Sequence, residues 1–209
     1  MFYEPALNNH GLNHSPLKSC VVPRPIGWIS TISSNNITNL TPFSYFNLVA
    51  DFPAMVMFSC VNRPDNFEDK DTLKNIKLNQ QFVVNMVSFE LKEQMNLTSG
   101  NFSYEVSEAD KAGLELVDSQ LVKPQRVKKS PIALECELYQ IVELPAIKPI
   151  TSNSLVLGKI LGIYIADEVI EEGKVNIEKI QPVSRLGYMD YSSVDTIFSM
   201  QRPSNKADL

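Results

Sequence analysis

The sequence has few of the residues that enzymes most often use for acid–base or metal chemistry. Its 209 residues include only two histidines, three cysteines and one tryptophan. Both histidines, His10 and His14, lie in a polar segment near the start of the chain, where no nearby cysteine or acidic residue completes a metal-binding set. We therefore predict no metal site and no histidine-based triad, and the sequence identifies no catalytic residue.

Familiar nucleotide-binding motifs are also missing. No segment has the Gly-x-Gly-x-x-Gly pattern of a Rossmann dinucleotide site. Gly158-Lys159 resembles the end of a P-loop, but Ile160 replaces the required serine or threonine and Asn153 replaces the upstream glycine. The sequence therefore predicts neither of these two phosphate-binding folds.

Long hydrophobic runs and excess positive charge are absent too. No apolar run approaches the roughly 20 residues that span a bilayer, and the first residues lack the pattern of a secretory signal. The net charge of -5 argues against a nucleic-acid surface. Cys20, Cys60 and Cys136 are widely spaced and odd in number, which favours reduced thiols. We therefore expect a cytoplasmic protein that binds neither membranes nor nucleic acid, with Cys60 and Cys136 as small core residues.

What is present is the pattern of one mainly β domain. Residues 1–19 are polar and predict an N-terminal arm, and residues 20–209 predict a single domain. Strand character, from β-branched and aromatic content or from alternation, occurs in six segments: 26–33, 40–49, 55–61, 82–87, 132–141 and 155–165. Helical patterns occupy 71–79 and 90–97, and a capping box starts at Ser107. Because strands and helices do not alternate regularly, we predict a closed or partly closed antiparallel β-barrel with short inserted helices.

Two local patterns refine this expectation. Gly158 and Gly162 interrupt one long strand, which is typical of strong curvature or of close backbone approach. In the segment 132–141, Leu134 and Cys136 fall on one face and Glu135 on the other, so we expect Glu135 on the exposed face.

Polar side chains cluster at three places near the ends of these elements. Ser30 and Thr31 stand in the first strand, where their hydroxyls either bond to neighbouring backbone or face a ligand. Residues 44–47, Ser-Tyr-Phe-Asn, offer an amide and aromatic rings that suit a flat ligand with one polar and one apolar edge, although such aromatics are also common in cores.

The third cluster suits a phosphate group. Lys70, Asp71 and Thr72 begin a predicted helix, whose first N–H groups and positive dipole end attract anions. Ser59 and Arg63 are candidates for further donors, whereas an ordinary helix cap at Asp71 with a surface Lys70 is the structural alternative.

The order of these motifs over roughly residues 20–195 resembles the flavin reductase-like family. The resemblance rests on Arg24 to Ile32, Thr41 to Asn47 and Lys70 to Leu73. It implies an FMN-binding split β-barrel of Greek-key type, with Asp71 as a helix cap beside the phosphate. It also implies that the following residues lie at the FMN: Ser30, Thr31, Ser44, Tyr45, Phe46, Asn47, Lys70 and Thr72.

A fourth motif of the family lies near the end of the chain. Arg185-Leu186-Gly187-Tyr188, with Tyr191 beyond it, stands where the family carries Arg-Leu-Gly and an aromatic residue. The resemblance implies that Arg185 and Tyr188 approach the flavin from the same subunit or from its partner in a homodimer. The family often has a second glycine where Tyr188 stands, so we expect Tyr188 to narrow the face where a nicotinamide would stack.

The activity implied by the resemblance is that of an oxidoreductase. NADH or NADPH would reduce the FMN, and the electrons would pass to oxygen, a monooxygenase partner or an organic acceptor. Because the flavin carries the redox chemistry, the absence of a triad or metal does not conflict with this activity. Two alternatives stay open: an FMN-binding protein for storage, transfer or sensing, and a related barrel for another ligand such as a pyridoxal phosphate compound or haem, the latter disfavoured by the lack of a well-placed histidine.

Overall fold

The computed structural model describes residues 1–63, 66–146 and 151–202. The strands of its two larger sheets are β1 (Arg24–Pro25), β2 (Gly27–Ile32), β3 (Thr38–Phe43), β4 (Phe46–Asp51), β5 (Ala54–Val61), β6 (Gln81–Asn85), β9 (Ile132–Leu144), β10 (Asn153–Ile165), β13 (Val183–Arg185) and β14 (Tyr191–Ser193). Two short hairpins are β7 (Leu116–Val117) with β8 (Arg126–Val127) and β11 (Ile170–Glu171) with β12 (Lys174–Val175). The α-helices are α1 (Asp71–Asn79), α2 (Lys92–Leu97), α3 (Glu108–Lys111) and α4 (Ile177–Ile180), and single 3-10 turns occupy Leu17–Ser19, Phe89–Leu91 and Asp167–Val169.

Seven strands form one antiparallel sheet in the order β3-β2-β6-β9-β10-β5-β4. Its two edge strands, β3 and β4, follow each other in the chain and are separated by a bend at Ser44 and Tyr45. Side chains fill the space between the two edges of the sheet. For example, Phe43 of edge strand β3 packs on Phe58 of β5, the neighbour of the other edge strand, with ring centroids 4.8 Å apart. The predicted mainly β, split-barrel fold is confirmed.

The core lies on both faces of strand β2, since Ile29 and Trp28 point in opposite directions and are both fully buried. Ile29 belongs to the cluster inside the barrel, which also contains Phe58 and Phe82. Trp28 belongs to an outer cluster that includes Met95 of α2. Helix α2 therefore covers the outer face of the sheet.

The glycine prediction is confirmed at Gly158. A Cβ atom on this residue would lie 2.2 Å from the Phe82 ring, far closer than any side chain allows. The β9–β10 register also shifts between Leu157 and Gly158 and again between Ile160 and Gly162. Both glycines thus mark bulges, which bend the two longest strands around the core.

Two predictions about strands need correction. The single extended segment expected over residues 40–49 is two strands, because the bend at Ser44 and Tyr45 sends β3 to pair with β2 and β4 to pair with β5. Glu135, expected on the exposed face, is only 4% exposed. Its carboxylate accepts hydrogen bonds from the backbone N–H groups of Gln120 and Leu121, so a loop covers a side chain that the strand alone would leave in water.

The N-terminal arm packs against the segment that follows β13. The Arg24 guanidinium donates to the carbonyls of Lys18, Val21 and Leu186. A Cβ atom on Gly187 would lie 1.8 Å from the Ser19 hydroxyl oxygen, so only glycine allows this approach. The arm has little regular structure of its own, but its last residues are held in place by these contacts.

Candidate functional site

A narrow polar cleft opens at the N-terminus of α1. Side chains from β3, from the loop after β5 and from the start of α1 meet residues 99–102 there, around a cavity of about 30 Å³. We call it the polar cleft and define it by Asn39, Thr41, Arg63, Lys70, Asp71, Thr72, Phe102 and Glu108. Of the predicted phosphate donors, Arg63, Lys70 and Thr72 thus lie in one concave place together with Asp71, whereas Ser59 does not line it.

The first turn of α1 differs from the prediction in one respect. Lys70, with extended backbone, occupies the N-cap position, and Asp71 is the first helical residue rather than the cap. No side chain caps the helix. Asp71 instead forms an ion pair with Arg63, whose guanidinium also donates to the Phe102 carbonyl. The predicted cap at Asp71 is therefore wrong, because the cation brought in by the preceding loop engages its carboxylate.

Lys70 is the free cation of the cleft. Among the residues that the structure describes, no carboxylate lies within ion-pair distance of its ammonium, which sits 5.7 Å from the centre of the Phe43 ring. The charges of Arg63 and Asp71 offset each other. Lys70 and the unpaired N–H groups of the first helical turn therefore give the α1 end of the cleft its positive character.

A buried hydrogen-bond network forms the wall opposite Lys70. The Thr72 hydroxyl donates to Asn39 Oδ1 over 2.7 Å, and Asn39 Nδ2 donates to Glu108 Oε1 over 2.7 Å. Glu108 Oε2 accepts from the backbone N–H of Leu40 over 2.9 Å. Burial raises the pKa of the Glu108 carboxyl, although the hydrogen bonds from Leu40 and Asn39 oppose this effect. Because the Thr72 hydroxyl is used within the protein, its backbone N–H is the group left for an anion.

Ser30 and Thr31 are fully buried on opposite faces of β2. The Ser30 hydroxyl donates to the Gln125 carbonyl over 2.6 Å and accepts from Asn85. Thr31 Oγ1 accepts from Asn75 Nδ2 over 3.0 Å. Both hydroxyls thus have partners within the protein, and their contact with a cofactor stays a prediction.

The second predicted cluster follows the bend between the sheet edges. The Ser59 backbone N–H donates to the Tyr45 carbonyl over 2.8 Å, which ties β5 to the bend. Phe46 covers Gly27, where a Cβ atom would lie 2.7 Å from its ring. Ser44 is half-buried, whereas Tyr45 is exposed. Asn47 is also exposed, and its side chain accepts from the N–H of Leu48. Ser44, Tyr45, Asn47 and Ser59 thus form a ledge at one sheet edge, with Phe46 packed behind it.

A larger cavity of about 560 Å³ lies between α2 and the β13–β14 hairpin. We call it the aromatic cavity and define it by Phe89, Lys92, Met95, Val183, Arg185, Met189 and Tyr191. The Arg185 guanidinium stacks 4.3 Å from the centre of the Tyr191 ring and donates to the Tyr191 hydroxyl and to the Tyr188 carbonyl. The predicted site residue Arg185 therefore lines a cavity that is separate from the polar cleft.

Tyr188 has left-handed backbone, with φ 53°. Glycine adopts this conformation freely, which gives a physical reason for the glycine expected at this position in the family that the sequence resembles. The Tyr188 ring is half exposed and packs edge-on against His14 of the arm, with centroids 5.8 Å apart.

Arg24 connects the ledge to the aromatic cavity. It pairs with Arg185 in the β1–β13 register, and its guanidinium lies 6.0 Å from the centre of the Tyr45 ring. Sequence reasoning gave Arg24 no role in the site, and it also missed Asn39, Glu108 and Lys92. The available signal for Glu108 was the capping box at Ser107, whose side chain does accept from the N–H of Asp110. Nothing local in the sequence indicated that Glu108 reaches back to β3.

Metal-ligand clusters and membrane-spanning helices are both absent from the described part of the chain. Within residues 1–63, 66–146 and 151–202, no three His, Cys, Asp or Glu side chains gather as metal ligands would. In the same ranges, no helix has the length and apolar character needed to cross a membrane.

Comparison with known proteins identifies both a family and individual relatives. The sequence model of one family, described as a flavin reductase like domain, matches residues 19–191. An uncharacterized protein of Aquifex aeolicus is 45% identical over 168 residues, which are 80% of this chain and 82% of that protein.

Among solved structures, nitrilotriacetate monooxygenase component B of Bacillus cereus superposes with a TM-score of 0.87 at 26% identity, covering 96% of this chain and 98% of the other. The 2-nitrobenzoate 2-nitroreductase NbaA of Pseudomonas fluorescens superposes with a TM-score of 0.84 at 30% identity, covering 98% and 97%.

Proposed function

Because the chain belongs to the flavin reductase-like family, we propose that it binds FMN and works as an oxidoreductase with NADH or NADPH as electron donor. The electron acceptor would be oxygen, a monooxygenase partner or an organic compound. Two similar structures support these acceptor classes, since one is component B of a monooxygenase and the other is a nitroreductase.

The observation that carries this proposal is the position of Lys70. Within the described part of the chain its ammonium has no ion-pair partner at the N-terminus of α1, and the Arg63–Asp71 pair removes the negative charge that would repel an anion there. A phosphate at this place would meet one full positive charge and the free N–H groups of a nine-residue helix. The donor set of the cleft therefore fits the phosphate of FMN.

The remaining predicted residues suit the ring system. The ledge offers the exposed Tyr45 ring and Asn47 amide at a sheet edge, and Arg24 and Arg185 supply positive charge on the adjoining side. When bound, the flavin supplies hydride acceptance and electron transfer, so the chain has only to bind, orient and shield it.

Reversal of the charge at Lys70 tests the phosphate assignment. We expect Lys70→Glu to weaken FMN binding by about a hundredfold, because it replaces a charge-assisted contact with repulsion. Lys74→Glu is the matched control, since Lys74 lies one turn along α1 and is paired with Glu68 at the surface. Titration of flavin fluorescence measures both variants. Equal FMN affinity in the two variants would contradict the phosphate site.

Anaerobic reduction separates an oxidoreductase from a passive FMN carrier. We expect the yellow absorption of the FMN-loaded protein to disappear on addition of NADH or NADPH without air. A protein that holds FMN but keeps its colour with both donors would be a storage, transfer or sensing protein instead.

We also propose a homodimer. The edge strand β4 and the turn after it expose Leu48, Val49 and Phe52, the last with 98% of its surface accessible. An apolar, unpaired edge of this kind favours association with a second surface. Light scattering of the purified chain tests this assembly, and a mass of one chain at micromolar concentration would contradict it.

A further inference from the structure

The aromatic cavity has a chemistry of its own. Its volume of about 560 Å³ falls within the range of small-molecule sites, and Met95 and Val183 form a floor that is almost completely buried. The Phe89 and Tyr191 rings are partly exposed at its sides. Met189 adds a second thioether, and thioethers make favourable contacts with aromatic rings. These walls fit a flat aromatic ligand.

Two cations stand over the aromatic walls. The Lys92 ammonium lies 4.0 Å from the centre of the Phe89 ring, and the Arg185 guanidinium lies 4.3 Å from that of Tyr191. Among the described residues, neither cation forms an ion pair with a carboxylate. Each thus lies over a ring while its charge stays available to a ligand.

The charge count indicates a monoanion. Lys92 and Arg185 contribute two positive charges to the lining and Glu93 contributes one negative charge, which leaves one positive charge in excess. A carboxylate would balance this excess, and its two oxygens match the planar donors of a guanidinium.

We propose that the aromatic cavity binds an aromatic carboxylate of one or two fused rings. The carboxylate contacts Lys92 and Arg185, and the ring lies over Met95 between the Phe89 and Tyr191 walls. The inference concerns binding alone and goes beyond the proposed flavin activity. Arg185 belongs to both predicted sites, so the test uses Lys92, which belongs only to this cavity.

Calorimetric titration of the full chain with 2-naphthoate and with neutral 2-naphthamide tests the proposal. We expect saturable binding of one naphthoate per chain and at least tenfold weaker binding of the amide, because the amide lacks the charge. Lys92→Met should weaken naphthoate binding about tenfold and leave the amide unchanged. Lys111→Met, at an exposed position on α3, is the control and should bind naphthoate like the parent.

Emission from Trp28 locates the ligand. Trp28 is the single tryptophan and shares a buried cluster with Met95, so naphthoate in the cavity should quench its emission.

Equal affinity for naphthoate and naphthamide, equal affinity of the two lysine variants, or no saturable binding would each overturn the proposal. Each titration is run with and without FMN. If naphthoate does not bind but FMN does, only this inference is rejected. If FMN does not bind but naphthoate does, only the flavin proposal is rejected.

Discussion

The polar cleft and the aromatic cavity are built in opposite ways. The cleft is small, and its Asn39, Thr72 and Glu108 side chains are hydrogen-bonded to one another in the interior. The cavity is many times larger, and its Lys92 and Arg185 side chains lie over aromatic rings at the surface. Folding therefore fixes the geometry of the cleft before any ligand arrives, whereas side chains of the cavity retain freedom to adjust.

This difference teaches what each place is suited to recognise. A fixed cleft in which, among the described residues, one cation lacks an ion-pair partner suits a group of constant shape, such as the phosphate of a cofactor. A wider space with thioethers and stacked cations suits reactants of varying shape. The two sites are thus suited to different ligands: the polar cleft to the cofactor, whose shape does not vary, and the aromatic cavity to reactants whose shape varies.

Thiol reactivity gives the largest expected contrast, between a buried cysteine beside the cleft and an exposed cysteine near Gly187. Cys60, at the end of β5 beside the cleft, is buried, and burial raises its pKa from 9.0 to about 12 despite the opposing charge of Lys70. Its thiolate fraction at neutral pH is therefore lowered about a thousandfold. Cys20, in the segment that packs near Gly187, is exposed.

We expect Ellman's reagent to modify one thiol of the folded protein rapidly and the other two at least a thousandfold more slowly. Burial also raises the pKa of Cys136, so it belongs to the slow pair. Reaction of all three thiols in denaturant provides the reference count. Two rapid thiols in the folded protein would show that the barrel core, which contains both Cys60 and Cys136, opens readily.

Paired asparagine variants measure how rigidly each region is built. Asn39→Ala removes the partner of the buried Thr72 hydroxyl and of Glu108 Oε1, and we expect a loss of about 3 kcal/mol in the free energy of unfolding. Asn96→Ala, at an exposed position beside the aromatic cavity, should change it by less than about 0.5 kcal/mol. Urea unfolding measures both. Similar losses would remove the proposed difference in rigidity.

The pH dependence of stability gives a smaller and more specific contrast. Since the pKa of Glu108 is raised in the folded protein, the folded state binds this proton more tightly than the unfolded chain. The resulting stabilisation is complete below the ordinary pKa of 4.5 and is lost as the pH rises through the raised value.

Compared with Glu108→Gln, the parent should therefore be relatively most stable near pH 4.5 and should lose this advantage towards pH 7. Urea unfolding across this range measures the difference. Glu93→Gln, at the exposed rim of the aromatic cavity, reports the effect of removing a carboxylate alone. An advantage that grows with pH would mean that folding lowers the pKa of Glu108 instead of raising it.

The parts of the fold that local pattern determines could be predicted. Helix α1 has the predicted bounds, because its apolar stripe and the left-handed Gln80 that ends it are local features. The strong curvature or close backbone approach at Gly158 and Gly162 was also predicted, and the structure shows it as register shifts next to both glycines. The break of 40–49 into two strands was missed because each half pairs with a different neighbour, and pairing is not local.

The residues of the candidate site show the same difference between local features, which could be predicted, and long-range contacts, which could not. Lys70 and Thr72 could be proposed because both lie within three residues at a helix start. The Asn39–Glu108 bond joins residues 69 positions apart, and no period in the sequence reports such a contact. Arg63 and Asp71 were both predicted site residues, but the sequence did not indicate their ion pair, because this pair depends on how the loop after β5 packs against α1.

The contact between the arm and Gly187 has a consequence for where the working unit begins. The family match starts at residue 19, yet the Lys18 carbonyl receives the Arg24 guanidinium, and His14 lies against Tyr188. A chain shortened to the matched segment would lose both contacts, the one with Arg24 and the one with Tyr188. The family match and the contacts of the arm therefore begin at different residues, and residues 14–18 belong to the folded unit.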